Sequence, residues 1–527
     1  MTAWSSRPIC WIWAALSIAR PGVAAAQSPS LTDSTRERLG ALVASETPAL
    51  QSFYARRGLQ PAWSGDAGPL PRAFELQQLL SEADQDGLEP GEYPLPPLRP
   101  RLHPDSLAAF DLALSRIALR YAADLANGRA DPAAVDSVWT AAPREIDVAA
   151  VLDTLLAADR LPALRTTLSP PHAGYARLCA ALARYREIAA RGGWTPLPDG
   201  TLITPADSGP AVAALRARLV DEGDLVGPGD TAARYDVALS AAVRRFQRRH
   251  GLAPDGAVGP ATLAELNVPV EDRIRQMELN LERWRWLPRA LGERYVMVNS
   301  AALEVEVVQH DSVVLRMRAV VGRLDWPTPI VSSRITGLEF APAWNIPHSI
   351  AVQEILPLVR RDTAYLRRHR IRVLSDSAGG VEIDPAAVDW ARVTDSTFAF
   401  QLRQEPGGTN PLGGVKFFFP NRFSSFIHDT PFRAAFREPV RTASHGCVRV
   451  EGAVDLAAYL LDNPARWPRD SIRRAMKRPE GRWVALRQPI PVHLGYWTAW
   501  IDQDGTVQFR DDVYGWDGRL ESALLAR

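Results

Sequence analysis

Seven residues near the end of the chain carry the side chains that a thiol nucleophile needs. They read Ser444-His445-Gly446-Cys447-Val448-Arg449-Val450, and a second histidine, His428, precedes Cys447 by 19 residues. A thiolate is the reactive form of cysteine, and a nearby imidazole can generate it at neutral pH. An isolated thiol, with a pKa of about 8.5, is mostly protonated at pH 7. The motif therefore predicts Cys447 as a nucleophile with His428 or His445 as its base.

The residues around Cys447 suit the remaining needs of such a site. Gly446 permits a tight turn and a close approach of substrate, and the N–H groups of Gly446 and Cys447 are candidate donors to a tetrahedral oxyanion. Arg449 can hold a substrate carboxylate or stabilise the loop. Ser444 is expected to make local backbone hydrogen bonds rather than to react. His445 lies two residues before Cys447 and would share its side of a strand, which keeps both histidines open as the base.

This set of residues resembles the active-site motif of the L,D-transpeptidases, in particular their large, multidomain YcbB-like branch with a YkuD-type catalytic domain. Those enzymes carry a His, then Ser/Thr-His-Gly-Cys after a short gap, then a nearby Arg or Asn. Every fixed position of that pattern is filled here. The resemblance implies that His428 is the base. Some relatives have a tyrosine two positions before this histidine, and Phe426 stands there instead, which puts a hydroxyl donor at that position in doubt.

By the same resemblance, the substrate is a tetrapeptide stem of peptidoglycan. Cys447 would attack the carbonyl of the third stem residue, a diamino acid, form a thioester and release the terminal D-alanine. The side-chain amine of another stem's diamino acid would then accept the acyl group, which gives a 3→3 cross-link. The resemblance implies no metal and no organic cofactor, and it implies that a carbapenem acylates Cys447.

Three other interpretations remain open. With water in place of the amine, the same site would be a carboxypeptidase or endopeptidase, and a relative could attach a lipoprotein to the stem. His428, His445 and Cys447 are also side chains of the types that ligate zinc, although no His-Glu-x-x-His motif is present. The third interpretation is a non-catalytic peptidoglycan-binding protein, against which the intact Cys447 and His428 argue.

Composition indicates a globular protein that acts outside the cytoplasm. The 527 residues suffice for about three domains, and 46% hydrophobic with 23% charged residues is typical of a globular chain. Residues 1–26 combine Arg7, an apolar run and a small-residue cleavage site near Ala26, which predicts a secretory signal peptide or, if uncleaved, an N-terminal anchor. Removing residues 1–27 changes the formal charge from +1 to −1. We therefore expect export to the periplasm or cell wall, and no nucleic-acid partner.

Outside the signal segment the chain has two cysteines, Cys179 and Cys447. Two are too few for a disulfide scaffold. Cys179 lies in a run of apolar and basic residues at helical spacing, so we expect it to be buried in a helix. A disulfide between the two would consume the predicted nucleophile.

The sequence predicts a multidomain α+β protein. Helical periodicity over 34–195 indicates a helical scaffold domain, a name that follows from the family resemblance. Residues 204–268 show two amphipathic helices and a third helix start at Gly259-Pro260. The run from Phe246 to Gly259 resembles the small three-helix peptidoglycan-binding module. A structural spacer that has lost its glycan-binding surface is the alternative for this segment.

A change from a period of 3.6 to a period of 2 near Glu293 predicts a β-rich catalytic domain over 293–485. Phe417 to Phe419 and Ser424 to Ile427 are predicted strands that lead into His428 and bring it to Cys447.

Two further segments complete the predicted domain organisation. An amphipathic helix near Gln353 to His369 indicates a helical insertion over about 348–406, either a lid over the site or a surface excursion. Asp504-Gly505 between two apolar runs predicts a β-hairpin. We expect this C-terminal segment, 486–520, to pack its aromatic residues on the catalytic domain.

Overall fold

The computed structural model describes residues 30–140, 146–226, 233–376 and 380–526. The predicted signal peptide, residues 1–26, lies outside the described residues. Within the described ranges, no helix combines the length and the apolar composition needed to cross a bilayer.

The N-terminal region is helical and has its own apolar core. Four of its helices begin with proline in the first turn, where the missing N–H costs no hydrogen bond. The buried Asp111, on the longest helix, accepts hydrogen bonds from the backbone of Ala62 and Trp63 and so fixes the chain that crosses it. The elements are α1 (Leu31–Val43), α2 (Pro48–Arg56), β1 (Ser64–Gly65), β2 (Gly68–Pro69), α3 (Pro71–Ser81), α4 (Pro104–Asn127), α5 (Pro132–Val135), α6 (Val148–Ala157), α7 (Leu164–Leu168) and α8 (Ala173–Ala190).

A small module with a separate core follows, and its helices are α9 (Pro210–Asp221), α10 (Val237–Arg249) and α11 (Pro260–Leu266). The buried Glu222 joins this module to α8. Its carboxylate accepts a hydrogen bond from the Tyr185 hydroxyl at 2.9 Å and pairs with Arg218 at 2.7 Å and Arg249 at 2.9 Å. Burial alone would raise the pKa of Glu222, but the guanidinium groups of Arg249 and Arg218 hold it well below its usual range. The module is therefore anchored to the N-terminal region by a paired buried charge.

Helix α12 (Val270–Arg285) leads from the module into the β-rich domain, whose first strands are β3 (Arg294–Asn299), β4 (Glu304–Gln309), β5 (Ser312–Gly322) and β6 (Val331–Phe340). These strands agree with the predicted alternation. In β4, for example, Val305 and Val307 are fully buried while Glu304 and Glu306 face the other way.

The predicted insertion is present, but it is mixed α/β rather than helical. Its elements are β7 (Trp344–Ile346), α13 (His348–Ile350), α14 (Leu356–Arg361), α15 (Ala364–Arg368), β8 (Ile371–Ser375), β9 (Glu382–Ile383) and β10 (Phe400–Gln404). The four strands form their own sheet, and the insertion has its own apolar core. The single helix predicted near 353–369 is broken, because Pro357 cannot donate a backbone hydrogen bond and the preceding Ala351–Ile355 forms a π-helical turn.

The β-rich domain resumes with β11 (Val415–Phe418), β12 (Ile427–His428), β13 (Thr442–Ser444), β14 (Val448–Val450), α16 (Ala453–Leu461), α17 (Arg469–Met476) and β15 (Arg482–Gly495). The sheet order is β13-β5-β14-β12-β11-β6-β15-β3-β4. Because β4 also pairs with β5, eight strands close into a barrel, and β13 lies beside β5. The predicted strand over Ser424 to Ile427 is shorter than expected, since Ser424 has a φ of +52° and only Ile427 and His428 are paired.

The structure of the C-terminal segment differs from the prediction in its boundary and in its packing. The predicted domain boundary at 485/486 falls inside β15, which continues to Gly495 because its register with β6 resumes after a bulge. The hairpin of β16 (Ala499–Ile501) and β17 (Val507–Phe509) turns at Asp504-Gly505 as predicted, but it packs into a core that it shares with α8 and α12. Tyr496 and Trp516, the latter in α18 (Trp516–Leu525), do join the barrel core.

Candidate active site

Strand pairing in the barrel wall brings the predicted base next to the motif. β12 lies between β11 and β14, so that His428 pairs with Lys416 on one side and with Arg449 on the other. Their neighbours Ile427 and Val448 point into the barrel core. Side chains alternate between the two faces of a strand, so His428, Lys416 and Arg449 share the outer face. Cys447 lies at the start of β14, and its thiol sits within the electrostatic reach of both cations.

The chain turns sharply just before Cys447. Gly446 has a φ of +93°, a conformation that L side chains rarely adopt, so glycine is required here. The Ser444 hydroxyl donates to the Cys447 carbonyl at 2.5 Å and closes the turn. Within the described part of the chain, neither the Gly446 nor the Cys447 N–H donates to another group. Both are therefore free to serve an oxyanion.

His428 is held in one tautomer by the backbone. Its Nδ1 lies 2.5 Å from the Asp429 carbonyl oxygen, and a carbonyl can only accept, so Nδ1 carries the proton. In the neutral ring Nε2 is then unprotonated, and the Leu412 backbone also interacts with the imidazole. Burial lowers the pKa of His428 to about 3, and the charges of Arg449 and Lys416 act in the same direction. The His428 imidazole is therefore neutral at any pH near 7.

Burial is also the largest influence on the pKa of the Cys447 thiol. It raises the pKa of Cys447, while the Phe426 N–H, the Lys416 ammonium and the Ser425 hydroxyl act in the opposite direction. The Ser425 hydroxyl has a single proton, and the Gly446 carbonyl at 3.1 Å is its other acceptor. With a raised thiol pKa and a lowered imidazole pKa, the resting pair is neutral rather than a thiolate–imidazolium ion pair.

Two cations lie beside the thiol, and they differ in their partners. Within the described residues Arg449 forms no ion pair, and its Nε is buried without a hydrogen bond. Lys416 lies opposite Glu339 of β6, whose charge acts on the ammonium, and the ammonium also lies 4.0 Å from the centre of the Phe426 ring. A desolvated guanidinium without a carboxylate partner, as at Arg449, is suited to bind an anionic group.

His445 faces away from the barrel wall and towards the insertion. Its Nε2 lies 2.6 Å from the Glu354 carboxylate, which stands in the π-helical turn, and its ring packs on Trp326 at 4.4 Å between centroids. Arg323 also reaches Glu354, at 3.5 Å. The strand argument that kept His445 open as the base does not apply, because the turn at Gly446 separates it from Cys447.

The histidines and the cysteine do not assemble as zinc ligands. Among the described residues, no group of three or more His, Cys, Asp or Glu side chains is arranged to hold a metal ion. His428 turns one ring nitrogen to the Asp429 carbonyl, and His445 turns one to Glu354. Cys179 is far along the chain in α8, where burial raises its pKa to about 12, and both cysteines are free thiols.

Family models match the chain in the order that the fold displays. Residues 48–182 match a scaffold domain, residues 208–266 a candidate peptidoglycan-binding domain, and residues 293–482 the L,D-transpeptidase catalytic domain. The chain carries a YkuD-type L,D-transpeptidase catalytic domain. The barrel, the insertion and the motif around Cys447 all belong to that matched segment.

Similar proteins agree with this domain assignment. A candidate L,D-transpeptidase of Haemophilus influenzae is 31% identical over 256 residues, which cover 48% of this chain and 51% of the relative. The chain spans about half the length of the curated relatives it matches. A solved L,D-transpeptidase from Xylanimonas cellulosilytica is 18% identical, and the match covers 56% of this chain and 98% of that one with a TM-score of 0.19. One from Stackebrandtia nassauensis is 12% identical, and the match covers 57% of this chain and 96% of that one with a TM-score of 0.23. Those TM-scores carry no argument, so the assignment rests on the domain match.

Three residues of the L,D-transpeptidase domain were missed by reasoning from the sequence. The sequence could have pointed to Lys416, because it interrupts the apolar run from Val415 to Phe419 and is one of only two lysines in the chain. Nothing in the sequence pointed to Ser425 or Glu354. Ser425 reaches the motif through a bend, and Glu354 reaches His445 from 91 residues away.

Proposed function

We propose that this protein is an L,D-transpeptidase of the YcbB-like branch, an acyltransferase that forms 3→3 cross-links between peptidoglycan stems. One observation carries the proposal. Within the segment that matches the L,D-transpeptidase catalytic domain, the Cys447 motif and the buried, neutral His428 lie on adjacent strands of one barrel face. A fold match without the Cys/His pair would support only a binding role.

The proposed reaction has two steps. In the first, His428 Nε2 takes the proton of the Cys447 thiol as the sulfur attacks the carbonyl of the third stem residue, and the N–H groups of Gly446 and Cys447 stabilise the oxyanion. The peptide bond to D-alanine breaks, and the imidazolium returns its proton to the leaving amine. In the second, the amine of another stem attacks the thioester, loses a proton to His428 and releases the Cys447 thiol.

The cations beside Cys447 give this site a means of selecting peptidoglycan stems. A tetrapeptide stem ends in a carboxylate next to the bond that would break. Both Arg449 and Lys416 act on the thiol, and Arg449 has no carboxylate partner among the described residues, so its guanidinium would gain most from such an anion. We propose that Arg449 holds the stem carboxylate and that Lys416 lowers the cost of forming the thiolate. The same cations would accept the carboxylate of a carbapenem that acylates Cys447.

The insertion and the other domains receive roles consistent with this reaction. We propose that residues of about 348–406 act as a lid, which the contact between Glu354 and His445 supports. The module within 204–268 would hold the polymer. The helical region within 34–195 would position this module relative to the catalytic domain. Peptidoglycan as substrate supports a location outside the cytoplasm, reached by means of the signal peptide in residues 1–26.

The test is mass spectrometry of residues 28–527 incubated with a disaccharide-tetrapeptide. The expected product is a dimer that has lost one D-alanine, and it should be absent with Cys447→Ala. Cys179→Ala is the matched control, because it removes the other thiol and should leave the dimer in place.

Each other outcome has a definite meaning. Tripeptide monomer without dimer would replace cross-linking by hydrolysis at the same site. Dimer formation that persists in Cys447→Ala would refute the assigned nucleophile. No product, together with a Cys447 that does not react with a carbapenem, would leave a peptidoglycan-binding protein.

A further inference from the structure

A large cavity lies on the barrel wall away from Cys447. It has a volume of about 550 Å³ and is enclosed by the start of α8, the outer face of β3 and β4, and the hairpin of β16 and β17. Arg316 on β5 lines this cavity, and Val320, four residues further along β5, pairs with Arg449. At about 3.3 Å per residue, the cavity is roughly 13 Å along the strand from the active site. It is therefore a separate site on the same domain.

Aromatic rings form one wall of this cavity. The rings of Trp284 and Trp497 lie 5.2 Å apart, and Trp500 and Tyr295 stand nearby. Trp497 is only 4% exposed, and its Nε1 is buried without a hydrogen-bond partner in the described structure. Trp500 is half-buried, and its Nε1 donates to Asp502 at 3.1 Å. The half-buried rings of Trp500 and Tyr295, rather than the buried Trp497, are therefore the aromatic surface that a ligand in the cavity can contact.

Carboxylates in excess of cations form the opposite wall. Glu306, Asp502 and Glu304 surround the single guanidinium of Arg316 at 2.8, 3.1 and 3.9 Å. Burial raises the pKa of both glutamates, although Arg316 acts against this shift. Asp502 also accepts from Trp500 and Gln508, whereas within the described residues Glu304 and Glu306 are paired only with Arg316 and so retain acceptor positions. Ligand hydroxyl or amide N–H groups would fill them.

The cavity continues towards the small module. A second cavity of about 660 Å³ shares Glu304, Arg316 and Asp502 with the first, and its far side is lined by Arg245 and Arg248 of α10. The two cavities form one groove, which we name the barrel groove. It runs from the segment that matches a peptidoglycan-binding domain to the helical region. Two adjoining cavities of about 550 and 660 Å³ have room for several units of a linear polymer.

We propose that the barrel groove binds a neutral oligosaccharide segment of a glycan strand, with sugar rings packed on Trp500 and Tyr295 and sugar hydroxyl groups donating to Glu304 and Glu306. Aromatic faces match the C–H faces of pyranose rings, and carboxylates match hydroxyl donors. In naming peptidoglycan as the polymer, this inference rests on the proposed function. It adds a binding surface that holds the strand beside the site while the stem enters it.

Calorimetric titration tests the proposal on residues 28–527 carrying Cys447→Ala, with the hexasaccharide of N-acetylglucosamine as the probe. We expect saturable binding that weakens at least fivefold with Trp500→Leu and, independently, with Glu306→Gln. Phe74→Leu is the control, because Phe74 is an exposed aromatic residue of α3, outside the groove. Melting temperature and, in the Cys447-containing chain, carbapenem acylation establish that each variant is folded.

Hydrogen exchange locates the bound sugar. Protection by the hexasaccharide should appear in the hairpin over 499–509 and in the segment before β3. Protection confined to 208–266, binding unaffected by both groove variants, or no binding would each overturn the proposal. A protein that binds the hexasaccharide in the groove but forms no cross-linked dimer would instead overturn the proposed function alone.

Discussion

Acidification should destabilise this protein through His428 in a measurable way. The side chain is 3% exposed, and its pKa lies at about 3 rather than at the ordinary 6.5. In the unfolded chain the imidazole binds a proton below pH 6.5, whereas in the folded chain it stays neutral until about pH 3. The unfolded state therefore binds more protons across this interval, and the stability due to His428 is lost as pH falls from 6.5 towards 3.

The magnitude follows from the two pKa values. Each pH unit within the interval changes the free energy of unfolding by at most about 1.4 kcal/mol for one group. Between pH 7 and pH 5 the loss due to His428 alone amounts to about 2 kcal/mol. Replacement by glutamine removes the titrating group but keeps an amide N–H that can donate to the Asp429 carbonyl, so the variant isolates the protonation effect.

The assay is urea unfolding of the parent chain and His428→Gln at pH 7 and pH 5, followed through a probe in the barrel. The difference between the two proteins should shift by about 2 kcal/mol in favour of the variant at pH 5. Buried His250 and His493, whose pKa values are also lowered, are present in both proteins and cancel. A difference that does not change with pH would refute the neutral, buried base.

Three further predictions concern neighbouring groups. Lys416→Met should slow alkylation of Cys447 at pH 7 by up to about tenfold, because loss of a nearby cation raises the thiol pKa by up to about one unit. Glu354→Gln removes the partner of His445, and since exposed ion pairs contribute at most about 1 kcal/mol, hydrogen exchange over 348–361 should rise by up to about fivefold. Residues 28–527 carrying Cys447→Ala should resist iodoacetamide at pH 8, because burial raises the pKa of the remaining Cys179 to about 12.

Each of these three predictions has a control or a result that would contradict it. Lys477→Met, at the only other lysine, should leave the alkylation rate unchanged, and an equal slowing by both variants would remove Lys416 from the site. Unchanged exchange over 348–361 in Glu354→Gln would mean that this contact does not hold the insertion. Rapid labelling of Cys179 at pH 8 would contradict its burial.

Much of the fold was predictable because its signals are local. Period-two alternation in β4 separates Val305 and Val307 from Glu304 and Glu306, and it predicts a strand with one buried face whatever its neighbours are. The hairpin turn at Asp504-Gly505 is local in the same sense. By contrast, the sheet of the insertion is built from strands of two to five residues, which are too short to show a period of two. The prediction of one helix near 353–369 overlooked Pro357, at which the helix is broken.

The sequence by itself determined the chemistry that the chain can perform, because a thiol, an imidazole and a glycine turn are properties of residues that lie close together in the chain. The tertiary structure decided the protonation states of these groups and the side chains that surround them. It assigned the Nδ1 proton of His428 through the Asp429 carbonyl, placed Lys416 beside the thiol through the register of β11 and β12, and turned His445 to Glu354. Pairing register and long-range contacts arise from packing of the whole barrel, and no local pattern of residues specifies them.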